Sequence, residues 1–169
     1  MKKIVFLLAF LFTNLVSAQK EVVNAFVEKW DNSKVYLVKM TESMPEDKFD
    51  FKPTDREMTF KEQLMHILDN MDWLSTTHFS NGDYKKKDRT AIVTKQQIVE
   101  EIGRSFDEAK IRVENNKETD LGKKVVFFAG EKTKLQILNL LQDHVTHHRG
   151  QLIVYLNLNQ IKPPAYVGW

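Results

Sequence analysis

The stretch that sets the fold is Thr133–Asn159, with the sequence TKLQILNLLQDHVTHHRGQLIVYLNLN. On a helical wheel at about 100° per residue, its apolar positions fall on one stripe, which is typical of a helix that packs against a core. We therefore predict a long helix that begins near Thr133 and ends near Asn159, before Pro163-Pro164. The stripe consists of Leu141, Val145, His148, Leu152 and Tyr155, with Ile137 beside it.

Three of the five histidines of the chain lie in this predicted helix. His144 and His148 are four residues apart, so both imidazoles project from one face. His148 lies at the centre of the apolar stripe, His144 at its edge and His147 further out. An unpaired imidazole in a core costs free energy. Two explanations stay open: a hydrogen bond to a neighbouring helix, or a shared metal ion, since clustered imidazoles are common transition-metal ligands.

A third ligand for such an ion would come from another helix, and His66 is the candidate. His66 lies roughly 100° from the apolar stripe of its own helix, and Gln63 and Asn70 lie on the same flank. A polar strip beside a buried face is expected for a site at the open end of a helical bundle. The alternative is a boundary histidine that lies half in solvent. His78, near the end of the same helix, is expected at the surface.

Three further helices follow from the same periodicity. The first is predicted at about Lys20–Ser43, and Met44-Pro45 ends it. The second begins at Thr59 and the third at Thr94, and each has Glu or Gln three residues later, the pattern of a capping box that Thr133 repeats. The apolar stripes are Val23, Phe26, Val27, Trp30, Leu37 and Met40 in the first helix, Phe60, Leu64, Ile67, Met71 and Leu74 in the second, and Ile98, Ile102, Phe106, Ala109 and Val113 in the third.

The connections between these helices are long, at Pro45–Met58, Asn81–Val93 and Asn116–Lys132. Neighbouring helices can therefore be parallel as well as antiparallel. Within the last connection, Lys124–Phe128 has strand propensity and is predicted to form a short extended piece on the bundle surface. Tyr84–Arg89 is locally basic, and we expect it to be a solvated loop. The fold class is therefore predicted as all-α, with four long helices.

The first residues have the organisation of a secretory signal peptide. Met1-Lys2-Lys3 is basic, Ile4–Leu15 is apolar, and Val16-Ser17-Ala18 supplies small residues for cleavage. The apolar run is short for a membrane span, and the alternative is an uncleaved N-terminal anchor. We expect residues 1–18 to be removed, the protein to be exported to the periplasm or secreted, and residues 19–169 to form a single domain with no membrane contact.

Composition excludes several classes of function. The formal charge of +2 belongs to the two lysines of the signal segment, because residues 19–169 carry equal numbers of basic and acidic side chains. There is no basic face of the kind that binds nucleic acid. Cysteine is absent, which excludes disulfides, thiolate ligands and thiol nucleophiles. We also find no Gly-rich phosphate loop and no nucleophile-elbow pattern.

Three segments, Met44–Pro53, Met58–His66 and Asp143–Gln151, carry a resemblance to a known family. Together they resemble the DinB/YfiT-like superfamily, over essentially all of residues 19–169. The resemblance implies an up-down-down-up four-helix bundle, often a homodimer. It also implies a divalent metal ion held by one histidine of the second helix and an i, i+4 pair of the last. By motif position, the implied ligands are His66, His144 and His148.

The resemblance also implies a choice of activities. Members of the superfamily are described as metal-dependent hydrolases, and relatives include transferases and isomerases that use low-molecular-weight thiols. Three neutral imidazoles leave a divalent ion, such as zinc, nickel or another transition metal, with open positions for a water or a substrate thiolate. Because those thiols are cytosolic, the export signal favours a hydrolase of a small molecule. The alternatives are a thiol-dependent transferase and a non-catalytic metal-binding or structural bundle.

The residues near the histidine pair yield further expectations. Gln151 projects from nearly the same face as the pair and, with Gln63 and Asn70, is a candidate for orienting a ligand or a bound water. The alternative for Gln151 is a helix–helix hydrogen bond. Arg149 points away from this face, and we expect it in a structural ion pair. Gly150 lies in the middle of the helix at a cost of about 1 kcal/mol, which indicates close packing of a neighbouring helix. No general base is identified.

Overall fold

The computed structural model describes residues 20–80, 82–115 and 121–169, together with the backbone of residues 2–19. Asn81 and Asn116, with which two connections were predicted to begin, lie outside these residues. The described elements are α1 (Lys2–Ser43), a short 3-10 helix (Glu46–Lys48), α2 (Phe60–Phe79), α3 (Lys95–Asn115), β1 (Lys124–Val125), β2 (Lys132–Thr133) and α4 (Lys134–Leu158). The predicted all-α class with four long helices is confirmed.

The helix α1 begins at Lys2, well before the predicted start near Lys20. Its helical backbone therefore includes the segment that we expect to be cleaved. Cleavage after Ala18 and a separate domain of residues 19–169 stay predictions. Among the helices whose side chains are described, none is both long enough and apolar enough to cross a bilayer.

Reciprocal hydrogen bonds begin α2, α3 and α4. At the start of α2, the Thr59 Oγ1 accepts from the Glu62 N–H at 3.1 Å, and the Glu62 Oε2 accepts from the Thr59 N–H at 2.7 Å. Each pair satisfies two backbone donors that the first turn of a helix leaves free. All three capping boxes predicted from the sequence are therefore formed. The equivalent pairs are Thr94 with Gln97 and Thr133 with Gln136.

The helices pack in a ring, in which α1 and α2 each contact both α3 and α4. α1 and α3 are antiparallel, since Trp30 Nε1 donates to the Phe106 carbonyl at 3.0 Å while, further along α1, the Glu42 carbonyl accepts from Lys95 Nζ at 3.1 Å. α2 is antiparallel to α4 and parallel to α3. This is the up-down-down-up order, and the long connection between α2 and α3 makes the parallel pair feasible.

The predicted stripes meet in one hydrophobic core. Every stripe residue of α2, α3 and α4 is buried, and in α1 only Val23 and Val27 are partly exposed. The 3.6-residue periodicity therefore identified the packed faces correctly.

Tyr84–Arg89 is only partly a solvated loop: Lys85, Lys86 and Asp88 are exposed as expected, but the Arg89 side chain is not. The Arg89 side chain is only 6% exposed and lies between α2 and α3. It pairs with Asp69 and Asp72 of α2, and its Nε donates to Glu101 Oε1 of α3 at 2.8 Å. A charge on a loop can be buried where carboxylates of two helices surround it, and helical periodicity does not reveal such an arrangement.

A β-hairpin covers the end of α2. Of the predicted extended piece, Lys124 and Val125 form strand β1, which pairs with β2. Beyond the strand, the Phe127 ring lies 5.7 Å from the Trp73 ring and 5.9 Å from the His78 ring. His78 is consequently buried rather than at the surface. That expectation failed because the segment that covers His78 is distant in sequence.

Replacing Arg89 by glutamine should destabilise the fold strongly. Asp72 and Glu101 have side chains that are 2% and 5% exposed, and without their shared cation Asp72 keeps only Lys87 and Arg112, and Glu101 only Arg104, as ion-pair partners. Loss of the sole partner of a buried charge costs about 3–5 kcal/mol in free energy of unfolding, and the remaining partners place the expected cost at the lower end of this range. Urea denaturation of Arg89→Gln measures it.

The matched control is Lys85→Gln in the same loop, at an exposed position. This surface change should alter the free energy of unfolding by less than about 0.5 kcal/mol. Equal effects of the two substitutions would contradict a structural role for Arg89.

Candidate metal centre

α2 and α4 bring His66, His144 and His148 together. The Nε2 atoms of His66 and His144 are 3.2 Å apart. One ring nitrogen of each histidine lies within 4.8 Å of the other two. In the described part of the chain, no other group of three His, Asp or Glu side chains meets this condition. The three candidate ligands from the sequence analysis therefore converge at one place in the structure.

The helix geometry explains this convergence. His144 and His148 are one turn apart on α4, and their ring centroids are 4.5 Å apart. α2 crosses this face in the antiparallel direction and places the His66 ring centroid 4.9 Å from that of His144 and 4.6 Å from that of His148. His148 is buried and the other two are partly buried, so the cluster lies at the edge of the core.

Two glutamines orient the His148 ring. The His148 Nδ1 lies 2.6 Å from Gln63 Oε1 and 2.7 Å from Gln151 Oε1. An amide oxygen only accepts, so a proton on Nδ1 satisfies both contacts and leaves the lone pair on Nε2. Metal-binding histidines are usually oriented in this way, by a hydrogen bond from the other ring nitrogen.

The amide orientation of Gln63 is itself set by neighbours. Tyr155 Oη donates to the Met58 carbonyl at 2.6 Å and accepts from Gln63 Nε2 at 3.4 Å. With its nitrogen directed to the tyrosine, Gln63 presents its oxygen to His148. Hydrogen bonds thus run from the Met58 carbonyl, just before α2, through Tyr155 of α4 and Gln63 of α2 to His148 of α4.

Asn70 is the third residue that we expected to orient a ligand. It makes no hydrogen bond to the three histidines, and it lines a pocket beside His66. Its Oδ1 is buried and has no hydrogen-bond partner among the described residues, and the same is true of His144 Nδ1.

Burial keeps the three imidazoles neutral. It lowers the pKa of His144 to about 3, and charges on His148 and His66 would lower it further in the same direction. It lowers the pKa of His148 to about 4, with a further contribution from His66. Burial also lowers the pKa of His66, although the nearby Asp69 opposes this. At pH 7 each ring is therefore neutral and has a lone pair on one of its nitrogens, the form that binds metal ions.

A shallow pocket of about 400 Å³ opens beside His66, between α2 and the connection to α3. Its lining includes residues that sequence reasoning missed: Asp69, Trp73, Tyr84 and Lys86. Asp69 and Trp73 follow His66 by three and seven positions, a spacing that identifies them as neighbours on one helix face. Tyr84 and Lys86 had no such signal, because the burial of Arg89 brings their loop to this place.

The remaining residues of the α4 motif lie elsewhere. His147 is exposed. Arg149 is buried, donates from Nη1 to Ser33 Oγ at 3.2 Å and lies over the Tyr36 ring. No carboxylate of the described residues pairs with it, so the expected ion pair is wrong. Space around Gly150 is open out to 4 Å from an added Cβ, so close packing at this position is also wrong.

Metal-free protein should lose stability as the pH falls from 6.5 towards 4. Unfolded histidines have a pKa near 6.5, whereas the pKa values of His144 and His148 in the fold are about 3 and 4. In this window the unfolded chain therefore binds protons that the folded chain does not, which favours unfolding. Urea denaturation between pH 7.5 and 4.5, values bracketing the roughly 6.5 reference pKa, measures the slope.

His144→Gln should flatten this pH dependence, because it removes the histidine with the lowest pKa of the three. His147→Gln, at an exposed neighbouring position, should leave it unchanged. An identical slope in His144→Gln and the unmodified protein would show that His144 is not held neutral by the fold.

Comparison with known proteins agrees with this architecture. A DinB-like protein from Bacillus subtilis aligns with a TM-score of 0.68 at 16% identity, over 84% of this chain and 96% of that chain. A DinB-like protein from Bacillus cereus aligns with a TM-score of 0.72 at 16% identity, over 85% of this chain and 97% of that chain. No curated protein matches the chain.

The two structures show the shared fold alone, since their identity to this chain is low. The family follows from the sequence itself, because the model of the DinB family matches residues 16–167. This range includes all three histidines of the candidate metal centre and all four helices except the first part of α1. The chain therefore belongs to the DinB family.

Proposed function

We propose that this protein binds one divalent transition-metal ion through His66, His144 and His148 and hydrolyses a small molecule there. The observation that carries the proposal is the convergence of three neutral imidazoles, of which His148 is oriented by two glutamine oxygens. Structural proximity of three histidines alone would support only a hydrogen-bonded cluster. The orientation of His148 adds a free lone pair directed away from the glutamines.

The spacing of one pair of the nitrogens matches that around a tetrahedral ion. Bonds of about 2.0–2.1 Å in a tetrahedral site place two ligand nitrogens about 3.3 Å apart. The Nε2 atoms of His66 and His144 are 3.2 Å apart. Imidazole donors suit zinc, nickel, copper and iron, so the donor set supports a transition metal without selecting one.

The surroundings support a site open to substrate. A bound divalent ion would supply Lewis acidity and lower the pKa of a water towards 7. His66 borders the open pocket, which gives a small molecule access to the cluster. Asp69 also lines the pocket, but its pairs with Lys86 and Arg89 assign it to holding the loop. Gln63 and Gln151 keep the proton on His148 Nδ1.

The predicted signal segment supports hydrolysis over thiol transfer. The same three-histidine donor set can bind a substrate thiolate, so the site itself accommodates both reactions. The thiol cosubstrates of the related transferases are cytosolic, and an exported protein would lack them. Hydrolysis needs only water.

The purified protein should contain one transition-metal ion per chain, measured by element analysis after dialysis. His144→Ala and His148→Ala should remove stoichiometric metal, because each eliminates one of three ligands. Gln63→Leu should weaken metal affinity by about 10- to 100-fold, since it removes a partner that orients His148.

His147→Ala is the control, because His147 is adjacent in sequence and exposed. It should retain the ion. Loss of metal in His147→Ala together with retention in His148→Ala would refute the ligand assignment.

Metal-loaded protein should hydrolyse members of a panel of esters, amides and phosphoesters. A chelator should abolish the reaction, the ion should restore it, and His66→Ala should lack it. Turnover that appears only when cysteine is added as a thiol would instead support the transferase. Metal binding without turnover in either assay would support a non-catalytic metal-binding bundle.

A further inference from the structure

We propose that the pocket beside His66 selects small carboxylates with a flat apolar body, in which Lys86 binds the carboxylate and Trp73 packs against the apolar part. This inference rests on the proposed function, because the pocket matters for catalysis only if His66 belongs to a metal centre. It goes further by naming the substrate class and the two side chains that recognise it.

The apolar wall of the pocket is an ordered aromatic surface. Trp73 lines the pocket, and its ring is stacked with those of Phe127 and Phe128 at 5.7 and 6.2 Å between centroids. The two phenylalanines come from the β-hairpin and contact one another at 4.4 Å. They hold the indole in place, and a fixed aromatic face binds a flat apolar group at little entropic cost.

The aromatic surface continues out of the pocket. Phe128 is 83% exposed, which is unusual for a large apolar side chain that already contacts two other rings. From the opposite connection, Tyr84 adds another aromatic side chain to the lining. A ligand that extends beyond His66 would therefore meet apolar surface, and burial of both surfaces would contribute about 25 cal/mol per Å².

The other wall carries an exposed cation. Lys86 has a side chain that is 73% exposed, and its acidic partner is Asp69 at 3.1 Å. An ammonium group has three N–H donors, so this one pair leaves donors for a second acceptor, and a carboxylate on a ligand can provide it.

The candidate metal centre adds positive charge on the same side. All three candidate ligands are neutral histidines, and an ion held by them keeps its full charge. An anionic substrate is attracted to both Lys86 and the ion, whereas a cationic one is repelled. The separate positions of Lys86 and Trp73 then require the charge and the apolar body to be on different parts of one molecule.

An N-acylated aromatic amino acid combines the two recognised groups in one small molecule, since it has a carboxylate, a ring and no amino charge that Lys86 or the ion would repel. Asn70 also lines this pocket, but its Oδ1 is fully buried, so recognition is assigned to Lys86 and Trp73.

The test measures binding of three matched probes to the metal-loaded full chain by calorimetry. N-acetylphenylalanine has the carboxylate and the ring, its neutral carboxamide lacks the charge, and N-acetylalanine lacks the ring. We expect the first to bind at least about fivefold more tightly than either of the others, the factor for an exposed ion pair or a partly buried ring.

Two variants assign the two preferences. Lys86→Gln should abolish discrimination between the acid and its carboxamide, with Lys85→Gln as the exposed control in the same loop. Trp73→Leu should abolish discrimination between the aromatic and alanine probes, with Trp169→Leu as the exposed control outside the pocket. Trp73→Phe keeps an aromatic face and should retain most of the ring preference, which separates recognition from a folding defect.

Equal binding of the three probes, or discrimination that survives Lys86→Gln and Trp73→Leu, would overturn the inference. Element analysis of each sample distinguishes this failure from failure of the proposed function. Protein without metal that still discriminates through Lys86 and Trp73 would refute the metal-dependent function and keep the pocket assignment. Protein that holds metal but binds the three probes equally would refute the pocket assignment and leave the metal-dependent function in place.

Discussion

Carboxylates of two helices surround the buried guanidinium of Arg89, and this pairing organises one side of the molecule. Arg89 arises from the long connection between α2 and α3 and pairs with Asp69, Asp72 and Glu101 of those two helices. It thereby links the parallel pair of helices and holds the connection against them. Since Tyr84 and Lys86 belong to the same connection, the charge pairing inside the fold also forms one wall of the pocket beside His66.

The same principle governs the other side of the site, where a polar ring occupies a core position. His148 lies in the apolar stripe of α4, and the hydrogen bonds to Gln63 and Gln151 compensate its burial. Those bonds engage one ring nitrogen and leave the other free. Burial holds its pKa at about 4, so a neutral imidazole is available at physiological pH. The interactions that make His148 acceptable in the core are therefore the ones that prepare it as a ligand.

The hairpin between α3 and α4 also contributes both to the fold and to the pocket. Phe127 covers His78 and stacks on Trp73, so it both closes the end of α2 and orients an aromatic wall of the pocket. The pocket therefore has a charged side supplied by one interhelical connection and an aromatic side shaped by another. The histidines themselves come from helices, which are the more rigid elements, whereas the surfaces proposed to recognise substrate involve connections.

The features that the sequence determined are those with a local, periodic cause. The four helices, their buried stripes and the capping boxes at Thr59, Thr94 and Thr133 follow from 3.6-residue spacing and from interactions within one turn. The spacing of His144 and His148 placed both on one face of α4, His66 was already the candidate for a third ligand from another helix, and resemblance to a family implied the same three residues. Each of these features depends on residues within a few helical turns of one another, or on a sequence motif.

Only the tertiary structure decided what the connections do. The burial of Arg89, the covering of His78 by the hairpin and the location of Lys86 beside His66 depend on contacts between segments far apart in the chain. Helical periodicity contains no information about them. It also misled at Arg149, where a hydrogen bond to Ser33 and the ring of Tyr36 take the place of an ion pair. Such pairings depend on which helices become neighbours, because the free energy of burying a charge is set by the groups that surround it in the folded chain.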